Sequence, residues 1–234
     1  MNILSLDRRH HWLVARGAVL LALSLLAGCT TKPKLPPGVT PSVEVGPPLK
    51  SDAWKAVATD ADEDRLARLG LAWQEALAEA KKSNPSDVAR EDKLLLPRSA
   101  LPMPAPTPGS YNCRMIALGR ATPKGRAFES FKPFFCYVQV EDGQLTIVKQ
   151  TGSQRPAGRL WEDDAATRMI FLGSLALGNE DAPLAYGDDP KRNMAGAFER
   201  IAPFKWRLVI PWPQNNAKLN VFELTPVDFV NQPK

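Results

Sequence analysis

The residues best suited by type to do chemistry lie in one run, 151–161, which reads TGSQRPAGRLW. It gathers hydroxyls, the Gln154 amide and the guanidiniums of Arg155 and Arg159 between Gly152 and Gly158. Two planar guanidinium forks on a glycine-flanked loop make a donor set for a carboxylate or a phosphate. The run ends at Trp161, and Trp212 stands between Pro211 and Pro213, where its ring is expected to be open to contact. Gln154, Arg155, Arg159, Trp161 and Trp212 are therefore the candidate binding residues. The competing reading makes 151–159 a tight connection, with its arginines satisfied by nearby acids such as Glu162 and Asp163.

Other constellations are weaker. The acids come in loop pairs, Asp163 with Asp164, Glu180 with Asp181 and Asp188 with Asp189. None has the spaced oxygens of a calcium loop, and none is recognisable as a glycosidase carboxylate pair. Ser110, Ser153 and Ser174 lack a Ser-x-x-Lys base. The only histidines, His10 and His11, lie in a leader. A mature chain without histidine has no Ser-His-Asp triad, no Cys-His pair and no His-ligated zinc. The expectation is a chain with no catalytic residue, no metal site and no cofactor.

The leader carries Arg8, Arg9 and Arg16 ahead of the apolar stretch 17–27. This is the pattern of a signal peptide over 1–28. Leu26-Ala27-Gly28-Cys29 resembles the bacterial lipobox, which implies acylation of Cys29 and a membrane anchor. Thr30, rather than Asp, follows the cysteine, and by resemblance to enterobacterial lipoprotein sorting signals this implies the outer membrane, facing the periplasm, over the inner membrane. Losing 1–28 takes three basic and one acidic side chain from the 30 and 25 of the full chain, leaving a balance of +3. That mild charge, in that compartment, argues against nucleic acid. Cys113 and Cys136 remain as an even pair in an exported chain and are expected to form a disulfide.

These residues must be positioned by elements further along. A lipidated Cys29 and a tether with six prolines span 29–50. An amphipathic helix is predicted within 51–83: Thr59 or Asp60 caps it, Asp62, Glu63 and Asp64 fill its first turn, and Lys81 and Lys82 close it. Leu66, Leu69, Trp73, Leu77 and Ala80 form its apolar stripe. A proline-rich connector follows over 84–108. From 109 to 228 the pattern is antiparallel β, with strands expected at 110–118, 133–140, 144–150, 158–162, 167–174, 194–201, 205–210 and 218–225. One further short strand is expected at 184–186. Glu141-Asp142-Gly143 is the clearest hairpin turn. The fold class is mainly β, a small antiparallel β-barrel or sandwich with one N-terminal amphipathic helix.

The YNCR start, the TGSQRPAGRLW run, FLG at 171–173, AGAFER at 195–200, WRLVIPWP at 206–213 and KLNVFEL at 218–224 resemble an exported proteobacterial family, domain-of-unknown-function family 4893. The resemblance implies an envelope domain and brings no catalytic residues with it. At the level of architecture the chain also resembles small bacterial β-barrel proteins with an early disulfide, among them periplasmic metalloprotease inhibitors and related outer-membrane lipoproteins.

The function expected is non-catalytic: a lipid-anchored envelope protein whose β domain binds another envelope protein or a cell-wall component such as peptidoglycan. The alternatives are a lipocalin-like barrel for a small ligand or lipid, a protease-inhibitor-like lipoprotein, and a carboxylate-only glycan hydrolase.

Overall fold

In the computed structural model, residues 48–178, 180–214 and 217–228 are described. The predicted signal peptide, Cys29 and nearly all of the predicted tether lie outside them. The chain opens with α1 (Lys50–Lys55), α2 (Asp60–Ala67), α3 (Leu69–Ser83), α4 (Pro85–Arg90) and a 3-10 turn, Asp92–Leu95. Nine strands follow: β1 (Gly109–Arg120), β2 (Phe128–Ser130), β3 (Phe134–Glu141), β4 (Gln144–Lys149), β5 (Gln154–Glu162), β6 (Arg168–Leu177), β7 (Asn193–Ala202), β8 (Lys205–Pro211) and β9 (Ala217–Pro226).

Strands β3 to β9 form an antiparallel meander, and β1 pairs with both β3 and β9, closing an eight-stranded barrel. Closure removes the unpaired edges that an open sheet exposes. The extra strand, β2, continues along the side of β1 that β3 occupies: β3 takes 109–113 and β2 takes 116–118. Side chains alternate between two faces with the strand period. Tyr111, Val138, Phe171, Phe198, Leu208 and Phe222 fill the inside. The disulfide is formed there too, joining β1 to β3 through Cys113 and Cys136 with their Cα atoms 5.9 Å apart.

The predicted helix is two helices. Thr59 caps α2, its side chain accepting from Asp62 N, and acids fill the first turn. The helix then breaks at Arg68 (ψ 13°), two residues before Gly70, a poor helix former. The break lets the chain follow a curved wall. Leu66 packs with Ile170, Leu172 and Ala195 outside β6 and β7. From Leu69 on, α3 packs instead against Ile116, Leu118, Leu219 and Val221 outside β1 and β9. Its buried face includes Ala72 and Ala76, both fully covered, besides the larger Leu69, Trp73 and Leu77.

Three other expectations are corrected, and one strand was not expected at all. The connector 84–108 is not irregular throughout, because Pro85 starts a helix at its first turn and a 3-10 turn follows. β5 begins at Gln154, so the loop of the TGSQRPAGRLW run is shorter than its composition suggests. Residues 184–186 form no strand. β2 escaped notice because three residues carry no readable period.

The later part of the connector straps one end of the barrel. Tyr111 donates its hydroxyl to Thr107 O (2.6 Å), Trp206 donates Nε1 to Pro104 O (3.0 Å), and Arg200 donates to Pro102 O. Ahead of the strap, the fully buried Arg207 pairs with Glu199 at 2.7 Å. It also donates to the carbonyls of Leu94, Leu96 and Pro97, clamping the 3-10 segment to the wall.

Candidate functional site

Strand β5 runs with Ala157, Arg159 and Trp161 facing outward, beside Thr146 and Val148 of β4 and Leu172 of β6. Over this wall lies the segment 183–186, held down by Tyr186, whose hydroxyl donates to Asp62 Oδ2 (2.5 Å) and accepts from Thr59 N (3.0 Å). Burial, helped by the Asp62 carboxylate, raises the Tyr186 hydroxyl above the ordinary phenol value, so it remains a donor. Wall and segment enclose an open trough of about 630 Å3. A second trough, about 700 Å3, lies between β4, β5, β6 and the start of α1. Gln144 and Trp161 line both.

The polar groups along the first trough are incompletely used. Arg159 reaches Gln144 Oε1 and Asp142 Oδ2, each at 3.3 Å, but the Asp142 side chain is 87% exposed. An ion pair so open to water holds the guanidinium weakly. Thr146 Oγ1 and Trp161 Nε1 are buried without a hydrogen-bond partner among the described residues. Leaving such a group unpaired costs about 1–3 kcal/mol.

The glycines of this wall serve the barrel rather than a ligand. Gly158 and Gly173 are register partners, and the Phe171 ring lies over both. A Cβ on Gly158 would sit 2.8 Å from that ring, and one on Gly173 would sit 2.6 Å from it. The Gly152-to-Gly158 bracket that marked a loop is therefore partly a packing signature.

Of the sequence candidates, the structure brings Arg159 and Trp161 together. It sends the others elsewhere. Gln154 faces the mouth of the barrel. Arg155 braces the segment after β6, donating to Gly152 O and Leu177 O at 3.1 Å each and to Glu180 O. Trp212 is half-buried, with Arg68 stacked on its ring at 4.6 Å and the ring packed on the α3 cluster. The acids nominated as partners for the arginines bind other groups. Glu162 pairs with Lys50 at 3.0 Å, and Asp163 accepts from Trp54 Nε1 (3.0 Å) and Arg168 (2.6 Å). The paired loop acids act as staples too: Asp164 accepts from Lys50 N, and Glu180 and Asp189 both bind Arg192.

Sequence reasoning missed Thr146 and Lys149. Thr146 and Lys149 are ordinary strand residues, and only the closed wall makes them notable. The interior voids beside Phe222 amount to about 50 and 10 Å3, the volume left between packed side chains.

A family model described as a domain of unknown function (DUF4893) matches residues 54–224, and the chain belongs to that family. No curated protein and no solved structure matches the chain.

Proposed function

We propose that this chain is a non-catalytic, lipid-anchored protein of the outer membrane, facing the periplasm, that binds another envelope protein on the outer wall of its barrel. The observation that carries the reading is the trough beside Trp161, with Arg159 weakly held and two buried polar atoms unpaired on its lining. Trp, Tyr and Arg are the residue types that dominate binding energy at protein interfaces, and all three meet here. Leu184, 38% exposed, and Val57, 44% exposed, stand on the opposite bank. An extended segment with apolar side chains fits this lining.

Two observations favour the outer wall over the alternatives. A lipocalin-like barrel keeps a ligand-sized interior, whereas the voids beside Phe222 are far below the ~300 Å3 at which ligand pockets begin. A carboxylate-only hydrolase needs acids free to act, and the loop acids Asp163, Asp164, Glu180 and Asp189 hold the fold together. A protease inhibitor of the resembling kind inserts a free N-terminal segment, which acylation at Cys29 would occupy.

The test is cross-linking in intact cells, then purification of the anchored protein and mass spectrometry of what comes with it. The expected result is one dominant envelope protein, recovered roughly tenfold less with Arg159→Ala or Leu184→Asp, as loss of an interface anchor implies. Equal recovery from wild type and both variants overturns the site. Glycan in place of protein overturns the partner class.

A further inference from the structure

Among the described residues, the two most exposed large apolar side chains are Phe204, 76% exposed, and Met103, 74% exposed. Both also hold backbone that most residues avoid, Phe204 with φ 54° and Met103 with φ 58°. That left-handed region is normally left to Gly, Asn or Asp, because a Cβ crowds the neighbouring carbonyl there. Three other non-glycine residues share it among the described residues: Asp92, Asp142 and Trp212. The two aspartates are of a tolerated type, and the Trp212 ring is packed on the α3 cluster. Phe204 and Met103 take on the strain and still leave their side chains in water, so the fold gains nothing from either.

The two stand together. Phe204 belongs to the two-residue turn Pro203–Phe204, between Ala202 of β7 and Lys205 of β8. Met103 lies on the strap between Pro102, whose carbonyl accepts from Arg200, and Pro104, whose carbonyl accepts from Trp206. Arg200 and Trp206 are register partners in the stem of that same hairpin. The strap thus crosses the stem at Met103, and Phe204 forms the tip. Neither residue lines the troughs or voids described above.

Position and charge say what covers them. Lys50 donates its backbone N–H to Asp164 Oδ1 (2.8 Å), in the turn between β5 and β6. In an antiparallel meander the β5–β6 and β7–β8 turns fall at one end of the barrel, so the described chain enters at the Phe204 end. Cys29 lies 19 residues before Pro48, a length that spans at most about 65 Å. Acylation of Cys29 would therefore keep this end within reach of a bilayer and make even a weak contact effectively intramolecular. Arg200 and Lys205 flank the turn, and Arg98 on the approach to the strap is exposed, with no ion pair among the described residues. Against them, Glu223 is paired with Lys205, and Asp228 stands exposed beyond β9. Apolar prongs ringed mainly by cations suit the headgroup layer of a membrane, with long basic side chains reaching the phosphates.

We infer that the strap end of the barrel rests on a phospholipid bilayer, with Phe204 and Met103 inserted among the headgroups and Arg98 and Lys205 at the phosphates. The orientation rests on the anchored reading above. It leaves the trough on the outer wall facing along the membrane plane, open to a partner.

The experiment reconstitutes the full chain in vesicles of phosphatidylethanolamine and phosphatidylglycerol. A photo-activated cross-linking residue is placed at Phe204, at Met103 or, as a control, at Phe131, which is 39% exposed at the opposite end. Illumination should give lipid adducts from Phe204 and Met103, roughly tenfold more than from Phe131. Phe204→Gly, which suits the backbone, should lower the Met103 adducts and leave the urea midpoint no lower. Equal lipid adducts from all three positions, or none from Phe204 and Met103, overturn the inference. So do adducts joining two copies of the chain at Phe204, which would assign the face to self-association. A lower midpoint in Phe204→Gly overturns it as well, since the ring would then serve the fold. Acylation of Cys29 is read by mass on the same samples. Unacylated protein that gives Phe204 adducts keeps the contact and removes the anchor; acylated protein that gives none removes the contact and keeps the anchor.

Discussion

Arg207 shows how much a single side chain can organise. It is fully buried on the outer wall, with Trp73 against its guanidinium at 5.0 Å, Glu199 beside it and four backbone carbonyls at its nitrogens. Burial pulls its pKa down, and Glu199 opposes that shift. Replacement by Met leaves Glu199 with no partner and frees the 94–97 carbonyls. Breaking such a pair costs about 3–5 kcal/mol. Arg207→Met should therefore lower the unfolding free energy obtained from urea denaturation by an amount in that range, and a surface-like loss below about 0.5 kcal/mol would contradict the clamp. A second cluster sets an acid limit. Arg114 binds Glu91 and Glu223, and Lys205 binds Glu223 at 2.8 Å. Burial alone would raise the Glu223 carboxyl, but Lys205 and Arg114 outweigh it and hold the group below the usual range. A carboxyl lowered on folding stabilises the protein above its unfolded value, about 4.3, and that gain is lost as pH falls through the folded value. The urea midpoint should drop on acidification below that point, and Glu223→Gln should flatten the drop. Little of this was legible beforehand. Arg207 sits in WRLV like any strand arginine, and burial depends on the helices that cover it. Cys113 and Cys136 were legible because chemistry and compartment identify them without geometry.

At the scale of elements, close approach decides more than hydrophobicity. Gly119 has φ +71°, and a Cβ there would meet the Ala76 Cα at 2.9 Å. With Ala72, Ala76 and Ala80 all fully buried, α3 comes down onto β1 at backbone distance. Ala76→Leu should cost about 1–3 kcal/mol by overpacking, read as a lower urea midpoint. Gly173→Ala should cost at least as much, because its Cβ would meet Ala157 O at 2.2 Å as well as the Phe171 ring. The apolar stripe of the helix was readable from the 3.6-residue period, but its alanines were not, since alanine suits any helix face. Nor was the break at Arg68, which reflects the curvature of a wall built later in the chain. The start of β5 was hidden by its own composition. Thr, Gly, Ser and Pro are turn signals, yet β4 pairs only with 157–159, so Pro156 stands where the β4 ladder has ended.

At the scale of the whole molecule, the mainly β architecture was legible from strand period and turn spacing, and the choice between barrel and sandwich was not. That choice rests on β1 meeting β9 across most of the chain, with Cys113 opposite Leu224 and Leu118 opposite Leu219. Local sequence pattern carries no record of so distant a pairing. The disulfide fastens β1 to the other neighbour, β3, and closes a loop with a sequence separation of 23. In the chain-entropy model such a bridge contributes roughly 3 kcal/mol. Oxidised protein should leave Cys113 and Cys136 unreactive to alkylation, and replacing both by Ala should lower stability by about that amount. We propose the outer wall beside Trp161 as the binding face. The most direct measurement of that claim places a photo-activated cross-linking residue at Leu184, at Val57 or, as a control, at Phe204, which is 76% exposed and lies outside the trough. Illumination of intact cells should give one and the same protein adduct from Leu184 and Val57 and none from Phe204. Adducts from Phe204 alone, or no adduct from either trough position, would contradict it.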